Sequence, residues 1–182
     1  YVSLPIVGIV VSGLAYVAAG VPLAVLGAAM SGGNSWWLAA HFTVQVVMVG
    51  FGEELGWRGW LLPHLARTHR FGIATLLTIL VWELWHLPKL AAGSTVGATL
   101  VVQVAAAGVI FSWLWARMSG NVLALAIAHA SVNAPVFFAE HVADVPAAQQ
   151  MAGWRNMALV YAAMAVIAGV RSRGLWQLTG QP

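Results

Sequence analysis

Apolar stretches long enough to cross a lipid bilayer recur along the whole of this 182-residue chain. A hydrocarbon core of ~30 Å takes ~20 helical residues to span. Inside lipid the backbone must satisfy its own hydrogen bonds, which leaves helices or a closed barrel. The apolar runs here are continuous instead of alternating, and that selects helices. Charged residues make up only 7% of the chain, where a soluble domain carries about a quarter. The expected fold class is therefore all-α, a polytopic transmembrane bundle of about six helices forming a single domain over 1–182.

The pattern predicts a first helix over 4–26, kinked at Pro22, and a break at the Ser31-Gly32-Gly33-Asn34-Ser35 cluster. A second helix over 36–66 exceeds the bilayer thickness and must tilt or protrude. Further helices are expected over 72–87, stopping before Pro88, and over 95–118, 122–138 and 154–170. Arg67, Arg70, Arg117, Arg171 and Arg173 then fall on one side, and Lys89, Arg155, Glu140 and Asp144 on the other. Basic residues collect in cytoplasmic loops, so the five-arginine face is expected to be cytoplasmic. Trp36, Trp37 and Trp154 would belong to one interface and Trp113, Trp115 and Trp176 to the other. A net charge of +3 is too small an excess to make a nucleic-acid surface, and the absence of cysteine excludes disulfide and thiol chemistry. The chain opens on Tyr1 with no signal-peptide pattern, so residues are expected before it.

Three segments place polar side chains where helices should be buried: Gly52-Glu53-Glu54-Leu55-Gly56-Trp57-Arg58, Trp82-Glu83-Leu84-Trp85-His86 and His129-Ala130-Ser131-Val132-Asn133. Charges inside a membrane are costly and mark function. Glu53 lies 14 residues before Arg67, His86 lies 16 after Arg70, and Asn133 lies 13 after Gly120. At ~1.5 Å per residue all three reach a common depth near ~20 Å.

Glu54 and Arg58 are four apart with the acid first, the better order for an intrahelical ion pair. Glu53 points about 100° away around the helix and is the better candidate for a general base, with His86 as its partner at a water. His129 and Asn133, also four apart, share a helix face and suit an oxyanion hole. Taken alone, they serve equally well as interhelical hydrogen-bonding groups. Gly50, Gly52, Gly56 and Gly59 read as packing residues, Gly52 and Gly56 with GxxxG spacing. Trp82 is expected to line the cavity, whereas Trp57, Trp60 and Trp85 read as core or lipid-facing. Glu83, His41, His64, His69 and His141 receive no role.

At these residues the sequence resembles the CPBP family, the CAAX-protease and bacteriocin-processing or Abi membrane proteins, which includes the type II CAAX prenyl endopeptidases. The family's Glu-Glu-x-x-x-Arg is met by Glu53, Glu54 and Arg58, its aromatic-x-x-x-His by Trp82 and His86, and its His-x-x-x-Asn by His129 and Asn133. The core of the resemblance lies at about 36–140. It implies a glutamate-dependent intramembrane endopeptidase in which Glu53 and His86 activate water, His129 and Asn133 hold the oxyanion, and Glu54, Arg58 and Trp82 support them. It also implies a peptide or membrane-anchored, in some cases prenylated, protein substrate, and a multi-pass place in a bacterial or archaeal plasma membrane. The family usually has more helices before the first motif than the one seen here, so part of the bundle is expected to precede Tyr1. No cofactor and no metal are expected, because there is no HExxH pair and Asn is a poor zinc ligand. The competing readings are a non-catalytic membrane scaffold or transporter component that keeps the same polar cluster, and a metal-dependent hydrolase on the same fold.

Overall fold

The structure, a computed structural model, describes residues 3–22, 35–91, 94–141 and 145–179. Helix α1 spans Ser3–Ala18. The helical run α2 covers 35–66, with α-helical turns at Ser35–Val44, Gly52–Glu54 and Leu62–Ala66 and π-helical turns at Gln45–Phe51 and Leu55–Leu61. Then follow α3 (Phe71–Trp85), α4 (Leu87–Ala91), α5 (Ser94–Arg117), α6 (Val122–His141), α7 (Ala147–Arg171) and α8 (Arg173–Gln177). Among the described residues there is no strand, only an isolated bridge between Arg70 and Thr179. The fold is all-helical. Gly97–Arg117 and Ala147–Arg171 are long and apolar enough to cross a membrane, whereas Ile6–Ala18, Phe71–Trp85 and Val122–Ala134 are shorter apolar helices.

Several helix ends differ from the pattern. Helix α1 stops at Ala18 because Gly20 adopts φ 87° and the Gly20 and Val21 N–H groups bond back to Val17 and Tyr16, a Schellman closure that glycine permits. Pro22 thus follows the helix and does not kink it, and the expected continuation over 23–26 and break over 31–34 lie outside the described residues. Helix α3 ends two residues early, at Trp85, and the chain turns through His86 into α4. Pro88 sits in the first turn of α4, where its missing N–H costs nothing. Helix α7 begins seven residues early, because its polar start is satisfied by backbone: Gln149 donates to the Gly20 carbonyl at 3.2 Å and Gln150 to that of Val145 at 2.6 Å.

Contacts divide the chain into two compact units, Tyr1–Glu53 with Leu123–Met157 and Glu54–Val122 with Ala158–Pro182. In the first, α1 lies directly on α6. A Cβ at Gly8 would overlap Ser131, and Ser12 Oγ donates to the Val132 carbonyl at 3.1 Å. Asn156 Nδ2 of α7 donates to the Ala15 carbonyl at 3.1 Å. Gly50 of α2 packs so closely that a Cβ there would strike the Ala126 carbonyl.

In the second unit α3 buries Phe71, Ala74, Thr75, Thr78, Ile79 and Trp82, one face at helical spacing. Gly108 of α5 makes room for Ile79. The chain after α8 closes the start of α3: the Phe71 N–H, one of the donors a helix start leaves without a partner, bonds the Leu178 carbonyl at 2.8 Å. The Phe71 ring stacks on Trp115 and Trp176 with centroids 6.0 and 5.6 Å away.

Gly8 and Gly13 offer a matched test of the α1–α6 packing, since a Cβ at Gly13 meets nothing within 4 Å. Gly8→Ala is expected to cost ~1–3 kcal/mol through forced displacement of α6. Gly13→Ala is expected to be neutral or stabilising by up to ~1 kcal/mol through helix propensity. Thermal unfolding of the two purified variants in detergent checks both; equal midpoints would contradict the close approach.

Candidate active site

A buried charge needs a partner, and Arg58 has one on its own helix. Its Nη1 donates to Glu54 Oε1 at 3.0 Å, with both side chains 0% exposed. The pair expected from the four-residue spacing is therefore formed, inside the protein and not on its surface. The guanidinium also lies 4.3 Å from the ring centre of Trp82 on α3 and 5.4 Å from that of Phe111 on α5. Ring faces attract a desolvated cation by about 2 kcal/mol, and the flat, delocalised guanidinium suits stacking better than an ammonium would. Arg58 thereby ties α2 to α3 and α5.

Trp82 connects that pair to the next motif residue. Its side chain is 3% exposed, its ring meets His86 edge-on at 5.8 Å, and its carbonyl lies 2.8 Å from His86 Nδ1. A carbonyl only accepts, so Nδ1 carries the proton, and in the neutral ring Nε2 is left as the lone-pair nitrogen. His86 itself is the residue at which α3 ends. Glu54, Arg58, Trp82 and His86 are thus brought together within the second unit.

The first unit carries Glu53, His129 and Asn133. Glu53 is half-buried in the middle of the α-helical turn Gly52–Glu54, where π-helical turns lie on either side. Such π turns are rare and concentrate at functional sites. His129 is 5% exposed and Asn133 half-buried on α6. Ser131 lies about 200° around the helix from each of them, and it is Ser131 and its neighbour Val132 that meet α1. Helix α1 therefore holds the back of α6 and leaves the His129–Asn133 face to other contacts.

Sequence reading missed Phe111, the second ring over Arg58, since nothing in the local pattern of α5 marks it. It also missed the π turns, for which the run of glycines at Gly50, Gly52, Gly56 and Gly59 was the available signal. Of these glycines only some pack as expected. Gly50 meets Ala126 and Gly59 meets Val122, whereas a Cβ at Gly52 or Gly56 would find nothing within 4 Å among the described residues. Glu83, given no role, has both carboxylate oxygens shielded from solvent. Within neither unit, among the described residues, do three His, Asp or Glu side chains gather as a metal would require.

Residues 34–135 match the family model of the type II CAAX prenyl endopeptidase Rce1-like proteins. The chain belongs to that family. The match contains all three motifs, from Glu53 to Asn133. No curated protein and no solved structure matches the chain. The type II CAAX prenyl endopeptidase Rce1-like family is a membrane-embedded protease family that acts on peptide or protein substrates at membranes, and the apolar helices of this member are compatible with such a placement.

The buried pair yields a direct test. Removing one partner of a buried pair strands the other charge, so Glu54→Leu or Arg58→Met is expected to cost ~3–5 kcal/mol. The double replacement Glu54→Leu with Arg58→Met is expected to recover most of that loss, because no charge remains to solvate. Chemical denaturation followed by tryptophan fluorescence measures all three; additive losses would show that the pair is not coupled.

Proposed function

We propose that this chain is a multi-pass intramembrane endopeptidase in which Glu53 and His86 activate a water molecule and His129 and Asn133 hold the oxyanion. The observation that carries the reading is the bond from His86 Nδ1 to the Trp82 carbonyl, which presents Nε2 as an acceptor, together with the family match over all three motifs. In the proposed reaction the Glu53 carboxylate takes a proton from the water while His86 Nε2 accepts a hydrogen bond from it. The hydroxide adds to the scissile carbonyl carbon, and charge develops on its oxygen. His129 and the Asn133 amide donate to that oxygen, an interaction stronger in the transition state than in the substrate. Protonated Glu53 then returns its proton to the departing amine as the C–N bond breaks.

Glu54, Arg58 and Trp82 act as positioning residues in this scheme, holding the His86 end of α3 against α2. Among the described residues nothing stands within 4 Å of a Cβ placed at Gly52 or Gly56, and a helix surface bared beside Glu53 in this way suits an extended peptide approaching it. The substrate is proposed to be a membrane-anchored peptide or protein, with a prenylated CAAX tail the leading class, and the membrane a bacterial or archaeal plasma membrane. The chemistry is proposed to need no metal or other cofactor.

Glu53→Gln keeps the size of the side chain and removes the base, so it is expected to lower kcat by ~10²–10⁴-fold with unchanged unfolding temperature. His129→Ala and Asn133→Ala are each expected to lower kcat by ~10²–10³-fold with little change in KM. Cleavage of membrane-anchored peptides, prenylated and not, measures these changes. Undiminished cleavage by Glu53→Gln would remove the assignment, and activity abolished by a chelator and restored by a divalent ion would replace it with a metal-dependent hydrolase.

A further inference from the structure

The charges of the second unit are unevenly placed. Its only acids are Glu54, paired with Arg58 inside, and Glu83 near the far end of α3, yet it carries Arg67, Arg70, Arg117, Arg171 and Arg173. Three of these lie where α3 starts and where α5 and α7 stop. Arg70 Nη1 donates to Gln177 Oε1 at 3.1 Å, while Arg117 and Arg171 both line a cavity of about 370 Å³ where α5 and α7 stop. The walls of that cavity are apolar, formed by Ile110, Met164, Ile167 and Ala168. Its inner corner is held by Ser172, whose Oγ accepts from Trp113 Nε1 at 2.9 Å and from Arg117 Nη2 at 3.5 Å. The Arg117 guanidinium stands 5.6 Å from the Trp113 ring, so it is anchored by groups that leave its charge uncancelled. Arg171 is exposed, and no acid is among the residues that line the cavity.

Two cations above an apolar-walled recess call for an amphiphile with an anionic head and an alkyl tail. Guanidinium groups match phosphate oxygens in pairs, and basic pockets between membrane helices hold anionic headgroups. A larger cavity on the other flank of α7, about 560 Å³, is rimmed by Arg70 alone, already bonded to Gln177, and has the weaker charge complementarity. We infer that the cavity rimmed by Arg117 and Arg171 binds one anionic glycerophospholipid of the surrounding bilayer, its phosphate between the two guanidinium groups and an acyl chain against Ile110 and Ile167. The site lies at the Arg70 end of α3, about 22 Å along the helix from His86, so it rests on the membrane placement of the chain and not on the proposed peptidase chemistry.

The test uses the full chain in nanodiscs of phosphatidylcholine with phosphatidylglycerol added, counting bound lipid by native mass spectrometry and following the unfolding temperature. A basic residue near an anionic lipid surface contributes ~1 kcal/mol, so Arg117→Gln with Arg171→Gln is expected to weaken phosphatidylglycerol binding ~30-fold. Arg67→Gln with Arg173→Gln removes the same charge outside the cavity and is expected to change it by less than about threefold. Ile167→Asp leaves the arginines in place and is expected to abolish retention of the lipid. Equal losses in the two double variants, or no preference for phosphatidylglycerol in the native chain, would overturn the inference in favour of diffuse surface charge. Inorganic phosphate competing as well as the lipid would reduce the site to a simple anion site, and displacement of the lipid by a farnesylated peptide would reassign it to substrate. Cleavage activity is not read in any arm, so failure here and failure of the peptidase reading remain distinct.

Discussion

An ion pair with no solvent contact governs this structure. Taking Glu54 and Arg58 out of water costs several kcal/mol per ion, and a bundle of apolar helices has little with which to offset it. The offset comes from the 3.0 Å bond between them and from the faces of Trp82 and Phe111. Each of those rings belongs to a different helix, so burying the arginine well requires α2, α3 and α5 to sit in one register. Displacing α3 or α5 would take away one of the ring faces that cover the guanidinium. The pair is thus a weak source of stability in itself and a strong source of specificity, the use of buried charge best attested where it fixes register.

From that pair a short path of contacts reaches the imidazole at the end of α3. Arg58 holds the Trp82 ring, Trp82 offers its carbonyl to His86 Nδ1, and the tautomer of the histidine follows. On α2 the π turns at Gln45–Phe51 and Leu55–Leu61 play a related part. They interrupt the regular ladder on both sides of the two acidic residues, and such interruptions are rare and concentrate at functional sites. In the first unit α1 does the equivalent work by seating Gly8 and Ser12 on the back of α6.

The legible features are those that depend on near neighbours in the chain. The spacing of Glu54 and Arg58 foretold their bond, and the apolar runs foretold the helices. Helix ends were less legible, for particular reasons: Gly20 closes α1 through a positive φ before Pro22 can act, and Gln149 and Gln150 lengthen α7 by finding backbone carbonyls. The GxxxG reading of Gly52 and Gly56 is a further case, since small residues permit close packing but do not demand it, and among the described residues nothing packs against these two.

What the sequence by itself determined is the helical, membrane-adapted character of the chain, its three ordered motifs and the gathering of arginines, because each follows from composition, period or spacing within a helix turn or two. What only the tertiary structure decided is which ring covers Arg58 besides Trp82, which nitrogen of His86 carries the proton, and that Arg117 and Arg171 share one recess. The His86 proton turns on a bond to a carbonyl four residues back, but the other two outcomes depend on residues separated by tens of positions, as Arg58 is from Phe111 and Arg117 from Arg171. A local pattern holds no record of such distances; packing supplies them.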